Sequence, residues 1–375
     1  MHKVIVLGSG MVGSAAAIDL AQQHSVTLAD INEAALTRAK KKFPGIATLV
    51  LNVRDQEALR SAIAPFDLVV CAVPGFLGYE TLKAVIAAKK NIVDFSFFAE
   101  DALTLDALAR QNGVTAVVDC GVAPGMHNII VGYHNARMTV TDFECLVGGL
   151  PKVKRWPFYY KAPFSPVDVI EEYTRPARFV ENGHEVVREA LSDCEYIEFD
   201  RVGTLEAFNT DGLRSLIKTM PHIPNMKEKT LRYPGHVEMV RALKASGFFS
   251  TTPLSVDGQS VVPLHVTSKV LFSEWKLGDT EPEITVMRVT IKGKDVNGIA
   301  QKIVYHLYDE FDALTGTSSM ARTTGYTATA VANLVLNGTF AERGVFPPEL
   351  VGKHEVCFHA ILHYLAERNV RYIKE

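Results

Sequence analysis

The opening segment restricts the fold most. An apolar run, Lys3-Val-Ile-Val-Leu7, breaks directly into Gly8-Ser9-Gly10-Met11-Val12-Gly13 and then into an alanine-rich stretch. Strand, glycine loop and helix in that order begin a doubly wound α/β unit, and each glycine there has its own task. Gly8 permits the tight turn, Gly10 lets a pyrophosphate approach the backbone, and Gly13 lets the helix lie against the strand. With Ser9, Met11 and Val12, the loop delivers the free N–H groups and positive dipole end of a new helix to phosphates. The next strand closes on Asp30, 22 residues after Gly8. A carboxylate at that point accepts hydrogen bonds from both ribose hydroxyls and repels a 2′-phosphate. No arginine follows at 31 or 32, so NAD is expected in preference to NADP. Ile31, Val53, Ala72, Val73, Pro74 and Gly121 complete the expected cofactor contacts, all at or just past the ends of strand-like runs.

Up to about residue 120 short apolar runs alternate with helical patterns, which predicts a parallel sheet covered on both faces. Beyond about residue 125 the texture changes. Asn182-Gly183 and Asp257-Gly258 sit between alternating segments as hairpin turns, and 284–292 and 301–308 alternate over longer spans. A second α+β domain of mostly antiparallel sheet is predicted. A long helical pattern from Thr317 ends at Gly338, and the tail 353–367 reads as helix. The expected division is a dinucleotide domain over 1–124, completed by 317–375, and a substrate and dimerisation domain over 125–316.

Composition narrows the function. In 375 residues, 39 Lys+Arg against 42 Asp+Glu leave a formal charge of −3, which provides no footprint for nucleic acid or an anionic membrane surface. No apolar stretch approaches the roughly 18 residues of a membrane span, and no signal peptide precedes Lys3. Five scattered cysteines, never in a CxxC pair, fit neither a disulfide framework nor a zinc knuckle. The expected compartment is the cytoplasm. His354, His359 and His363 in the last helix lack an HExxH arrangement and read as surface or packing residues, so no metal is expected.

Several segments together resemble the saccharopine dehydrogenase-like family of amino-acid dehydrogenases. They are Asp119-Cys-Gly-Val-Ala-Pro-Gly-Met126, Val147-Gly-Gly-Leu-Pro151, Asp168–Ala177, Leu205-Glu-Ala-Phe-Asn-Thr210, Lys229-Thr-Leu-Arg-Tyr-Pro-Gly-His236, Met320-Ala-Arg-Thr-Thr-Gly-Tyr326 and Gly344-Val-Phe-Pro-Pro-Glu349. The resemblance implies a Rossmann domain, an inserted substrate domain, a C-terminal segment that returns to the first domain, and a homodimer or higher homo-oligomer. It also implies pyridine-nucleotide oxidation of a carbon–nitrogen bond in lysine or a lysine derivative. Ala123-Pro-Gly125 and Leu205-Glu-Ala-Phe208 look most like the lysine 6-dehydrogenase branch, which deaminates the ε-amine to an aldehyde that cyclises. Asn209-Thr210-Asp211-Gly212-Leu213 departs from that branch's His-Thr-Ser-Gly-Gly. A saccharopine or carboxynorspermidine-type activity on a secondary amine is the alternative, with Lys152, Lys154 and Arg155 as extra cations for a larger substrate. A nucleotide-binding sensor that does no chemistry is the reading from a different class.

Amine oxidation needs an anchor for the substrate carboxylate, a counter-charge for its ammonium and a proton acceptor. A guanidinium fork matches a carboxylate, so Arg232 is the candidate anchor, with Tyr233 beside it. Glu206, Thr210 and Asp211 are candidates for the ammonium, and Tyr159, in an aromatic run, for the pocket wall. Histidine titrates near operating pH. His236 and His127 are therefore candidate bases, alongside Asp119 at a strand end, where burial can raise a carboxyl.

Overall fold

Lys3–Leu7 and Leu68–Cys71 are apolar on both sides of their pleat, and such strands are stable only beneath helices on both faces. The computed structural model, which describes residues 1–163, 166–278 and 280–375, has that arrangement. Seven parallel strands lie in the order Gly344–Phe346, Thr115–Val117, Asn91–Asp94, Leu68–Cys71, Lys3–Leu7, Ser25–Asp30 and Ala47–Val50. The chain changes direction across the sheet between Lys3–Leu7 and Leu68–Cys71, which is where doubly wound sheets hold their ligands. Helices Met11–Leu20, Glu33–Lys42, Gln56–Ile63 and Gly75–Ala87 cover it. Asn32 and Asp55 cap two of them by accepting from the amides of Ala35 and Ala58. The sequence predicts one helix over 101–112. The chain instead makes a 3-10 turn at Ala102–Leu105 before the helix Asp106–Gln111.

Two compact units divide the chain. One is Met1–Thr139 with Asp295–Ile299 and Met320–Tyr372; the other is Val140–Lys294 with Ala300–Ser319 and Ile373–Glu375. Helix Met126–Asn135, expected at the start of the second domain, groups with the first. The reason is a tertiary contact. A Cβ on Gly132 would sit 2.1 Å from the carbonyl oxygen of Glu349, and the Asn128 amide donates to the Glu349 carboxylate at 2.9 Å.

The second unit is built on a mixed sheet, ordered Glu195–Phe199, Gly203–Asn209, Asn225–Arg232, Thr139–Pro151, Glu283–Lys294, Ala300–Glu310 and Tyr372–Lys374. The hairpin Ala177–Glu181/His184–Arg188 pairs onto Asn225–Arg232. Asn182-Gly183 and Asp257-Gly258 make their turns with φ of 51° and 79°, and 51° and 78°. The sheet is less antiparallel than predicted, because Asn225–Arg232 runs parallel to Thr139–Pro151. Such a pair needs a long connection, and the one here carries the helix Pro166–Thr174 and two hairpins. Helices His236–Ala245 and Pro263–Trp275 then bury a core of Tyr173, Val237, Val240 and Trp275. No helix among the described residues is long and apolar enough to cross a membrane.

Within the first unit, the C-terminal helices Ser319–Leu336 and Glu355–Glu367 are tied to the helix Met11–Leu20 through Asp19. That buried carboxylate accepts from Arg368 Nε at 2.6 Å, Tyr364 Oη at 2.7 Å and Thr329 Oγ1 at 2.6 Å. Removing one member of a buried charged set leaves the others desolvated and uncompensated. Asp19→Ala should therefore cost about 3 kcal/mol, read from urea unfolding. A loss below 1 kcal/mol would show that the network is dispensable.

Candidate functional site

The glycine loop has the geometry its spacing demands. Gly8 has φ +106°, and a Cβ on it would lie 2.4 Å from the Ala72 carbonyl oxygen; one on Gly13 would lie 2.1 Å from the Gly8 carbonyl oxygen. Gly10 is different, because no atom beyond its own chain neighbours lies within 4 Å of where its Cβ would be. That open space, at the N-terminus of Met11–Leu20, fits the pyrophosphate of a dinucleotide, with the helix amides as donors. Asp30 accepts from the backbone amides of Ser9 at 2.5 Å and Asn32 at 2.7 Å, which fixes the carboxylate beside the loop. Ile31 is two-thirds exposed, Met11 is exposed at the helix start, and Val53 is half-buried. The Ala72 amide bonds the Leu7 carbonyl at 2.8 Å, Val73 is buried, and Pro74 starts the helix Gly75–Ala87. At Gly121 a Cβ would press 3.1 Å from both the Pro124 carbonyl oxygen and Thr324 Cγ2.

At the carboxyl ends of Leu68–Cys71, Asn91–Asp94 and Thr115–Val117 lies a group of buried polar side chains: Cys71, Asp94, Ser96, Asp119 and Cys120. Asp119 adopts a left-handed φ of 54°. Burial pushes Asp94 up to about 7, helped by the charge of Asp119. His127, on the first turn of Met126–Asn135, is fully buried and driven down to about 3 by desolvation. It stays neutral at ordinary pH and is too weak a base for the role its position suggested.

In the second unit the candidates around Arg232 form a closed buried relay. Arg232 Nε donates to Tyr173 Oη at 3.2 Å, its Nη1 to the Leu231 carbonyl at 3.0 Å, and its Nη2 to Glu172 at 3.0 Å and Tyr160 Oη at 3.4 Å. His236 meets Tyr173 Oη through Nε2 and the Phe158 carbonyl through Nδ1, both at 2.8 Å. A carbonyl only accepts, so Nδ1 carries the proton and Nε2 accepts from Tyr173. Burial, reinforced by Arg232, pushes His236 down to about 3. Arg232 is thus committed to Glu172 and the tyrosines rather than open as a carboxylate anchor, and His236 is a neutral packing residue rather than a base. The Tyr233 hydroxyl donates to the Pro151 carbonyl at 3.0 Å, and burial pushes it up to about 12.

Glu206 lies cross-strand from Arg232, accepts from the Gly235 amide at 3.4 Å, and is raised by burial. Tyr159 has φ 53°, and its ring lies 3.6 Å from where a Cβ on Gly235 would be. The structure therefore gathers Tyr159, Glu206, Arg232, Tyr233 and His236 around one strand-to-helix turn. Thr210 and Asp211 lie on a separate turn, with Thr210 Oγ1 2.9 Å from Thr230 Oγ1 and Asp211 held bidentately by Arg178 at 2.9 Å.

Comparison with known proteins identifies the molecule's kind. A model of the saccharopine dehydrogenase NADP binding domain matches residues 4–117, and one of the saccharopine dehydrogenase C-terminal domain matches 121–370. The chain belongs to the saccharopine dehydrogenase family. It is 26% identical over 264 residues to a saccharopine dehydrogenase [NADP(+), L-glutamate-forming] of Pyricularia oryzae, covering 66% of this chain and 58% of the relative. It is 25% identical over 384 residues to the carboxyaminopropylagmatine dehydrogenase of a Synechocystis strain, covering 93% and 92%. With several longer relatives the match is partial, and it spans 28% of the bovine alpha-aminoadipic semialdehyde synthase. The fold of the saccharopine dehydrogenase (L-Glu forming) of Saccharomyces cerevisiae superposes with a TM-score of 0.79 at 20% identity, covering 100% of this chain and 99% of that one.

In this saccharopine dehydrogenase family member two buried acids escaped the sequence reading. Asp94 ends a strand as Asp119 nearly does, which is the signal that would have found it. Glu228 shares its strand face with Arg232, and burial raises it to about 8. Its carboxyl occupies the place a Cβ on Gly212 would take, 1.9 Å from that point. His236 also carries a pH consequence. The folded chain holds the ring neutral, whereas the unfolded chain protonates it below about 6.5, so stability falls as pH drops from there toward 3. Between pH 7 and 5 this one ring costs about 2 kcal/mol. His236→Asn should lose about 2 kcal/mol less than the wild type over that interval in paired urea titrations; equal losses would contradict the assignment.

Proposed function

We propose that this protein is a pyridine-nucleotide oxidoreductase that oxidises a carbon–nitrogen bond in an amino-acid-type amine, with NAD preferred and the ε-amine of L-lysine as the first substrate to test. The observation that carries the cofactor reading is the open space at Gly10 beside a carboxylate fixed by the Ser9 and Asn32 amides. Bound there, a nicotinamide dinucleotide supplies the hydride acceptor. Gly8, Gly10, Gly13 and the amides of Ser9, Met11 and Val12 hold its phosphates, Asp30 its ribose, and Ile31 and Val53 its base. Asp119, buried at the carboxyl edge of the first sheet, is the proton acceptor in this proposal.

Recognition of the amine is assigned to the second unit, with Glu206 toward the ammonium and Tyr159 and Tyr233 as walls; Asp211, already paired with Arg178, and Thr210, on the same separate turn, are left out of that role. Lys154, whose Nζ lies 4.2 Å over the Tyr233 ring, and Arg155 take over the carboxylate role that Arg232 cannot fill. A second reading, oxidation of a secondary amine, is favoured by the near full-length match to carboxyaminopropylagmatine dehydrogenase. The free thiols Cys71, Cys120, Cys145, Cys194 and Cys357 support a reducing compartment, the cytoplasm.

The test is absorbance of the reduced nucleotide with L-lysine, saccharopine, ornithine and carboxynorspermidine, each with NAD and NADP. Lysine alone with trapped cyclic imine supports the first reading, a secondary amine alone supports the second, and silence across the panel rejects both. Asp30→Ala should weaken NAD at least ten-fold and narrow its lead over NADP; unchanged selectivity removes the ribose argument.

We infer further that two copies associate. The open face of the second sheet carries both signs of charge, Lys227 and Glu144 2.7 Å apart beside Arg288, Lys292, Asp142 and Glu181, and such a face can be self-complementary. Sedimentation velocity should show a dimer that Lys292→Glu weakens; a monomer at micromolar concentration rejects it.

A further inference from the structure

Asp94 is fully buried, yet it is the last residue of a strand in the half of the sheet that lies past the reversal of strand order. In register it faces Cys71 on one side, while the Cys120 amide donates to its carbonyl at 2.9 Å on the other. Its carboxyl accepts from the Ser96 amide at 2.8 Å and from Ser96 Oγ at 3.3 Å, and the Cys71 thiol hydrogen-bonds to it while lying 3.6 Å from Ser96 Oγ. The covering helix Gly75–Ala87 presents Gly78 to this loop; a Cβ there would sit 2.8 Å from Ser96 Cβ. The groups around the carboxyl are thus a thiol, a hydroxyl and amides, with Asp119 as the neighbouring charge.

No cation among these groups compensates an ionised Asp94. A buried carboxyl without one is costly as an anion, and burial accordingly raises it to about 7. In doubly wound sheets the two halves of a dinucleotide lie over the two halves of the sheet, outside the carboxyl ends of the strands. The glycine loop and Asp30 take the adenosine half, so the nicotinamide half falls to the ends of Leu68–Cys71, Asn91–Asp94 and Thr115–Val117. Its ring is a cation when oxidised and neutral when reduced.

We propose that Asp94 is the counter-charge of the nicotinamide ring, releasing a proton when the oxidised dinucleotide binds and recovering one when the ring has been reduced. The balance is simple: a ring that took a hydride from the substrate carbon would lose its positive charge, and the Asp94 carboxylate would take one proton from solvent. Asp94 does not touch the reacting atoms. It acts through the field in a water-poor site, where charges interact more strongly than in water. The inference rests on the pyridine-nucleotide reading above, whichever dinucleotide is preferred.

The test is calorimetric binding of the oxidised and reduced forms of NAD, and of NADP, to the full chain between pH 5.5 and 8.5, in two buffers of different ionisation enthalpy. Affinity for the oxidised form should rise several-fold toward pH 7, by at most about ten-fold per pH unit, and level off above it, with proton release on the low-pH side. The ratio of reduced to oxidised affinity should fall in parallel. Asp94→Asn keeps the size of the side chain and should flatten that ratio, whereas Asp119→Asn, which removes a charge that raises Asp94, should move the pH dependence to lower pH without abolishing it. If Asp94→Asn fails to fold, difference infrared spectra of the wild type decide: a protonated carboxyl band should vanish when the oxidised form binds at pH 6. A pH-independent ratio in the wild type, an unchanged slope in Asp94→Asn, or a band that persists each overturns the proposal alone. A wild type that binds neither dinucleotide overturns the cofactor reading with it.

Discussion

At Gly8 a single methyl group would lie 2.4 Å from the carbonyl oxygen of Ala72, and at Gly13 another would lie 2.1 Å from the carbonyl oxygen of Gly8. These near-contacts bring the end of the first strand, the loop after it, the first helix and the end of the fourth strand into one small volume. Because no side chain fills that volume, the amides at the start of Met11–Leu20 stay accessible and Asp30 can be clamped by the Ser9 amide. Larger residues at Gly8 or Gly13 would push the helix off the strand and disperse these donors. The Ala72 end of the sheet's carboxyl edge takes its position from how closely these backbones approach.

The second unit depends on a different constraint, a guanidinium in a core. Arg232 is buried against the Tyr160 and Tyr173 rings, where an unpaired charge would be prohibitive. Glu172 balances it, and the tyrosine hydroxyls and the Leu231 carbonyl take its remaining donors. Tyr173 passes the polarity on to His236, which burial, reinforced by the nearby positive charge, keeps neutral. This relay joins the helix Pro166–Thr174 to the sheet and to the first turn of His236–Ala245, and so fixes the loop that carries Tyr233 and Gly235.

The first sheet was legible because its strands are apolar throughout and its glycine spacing encodes backbone geometry directly. The place of Asp30 beside the glycine loop was legible for the same reason, since its distance from Gly8 is set by one strand, one helix and a second strand. The roles of Arg232 and His236 were not, because a motif shows which residues occur together and not which partners consume their hydrogen bonds; Glu172 and Tyr173, the partners that matter, lie some sixty residues upstream. Glu228 and Asp94 were missed because their significance comes from burial, which alternation along one strand leaves undetermined. The placement of Met126–Asn135 was missed because the contact that decides it, Gly132 on Glu349, joins residues more than two hundred positions apart.

The seventh strand of the first sheet, Gly344–Phe346, pairs with Thr115–Val117, although most of the chain separates them. During synthesis at about 5–20 residues per second, roughly ten to fifty seconds pass between the two emerging from the ribosome. Through that interval Thr115–Val117 is a bare sheet edge, and Asp19, Ala16 and their neighbours on the first helix await the segment that will cover them. An unpaired edge beside uncovered helix surface invites association with other chains. That edge closes only when the segment carrying Gly344–Phe346 has been made, so the first sheet is finished by a strand that the chain delivers more than two hundred residues after its neighbour.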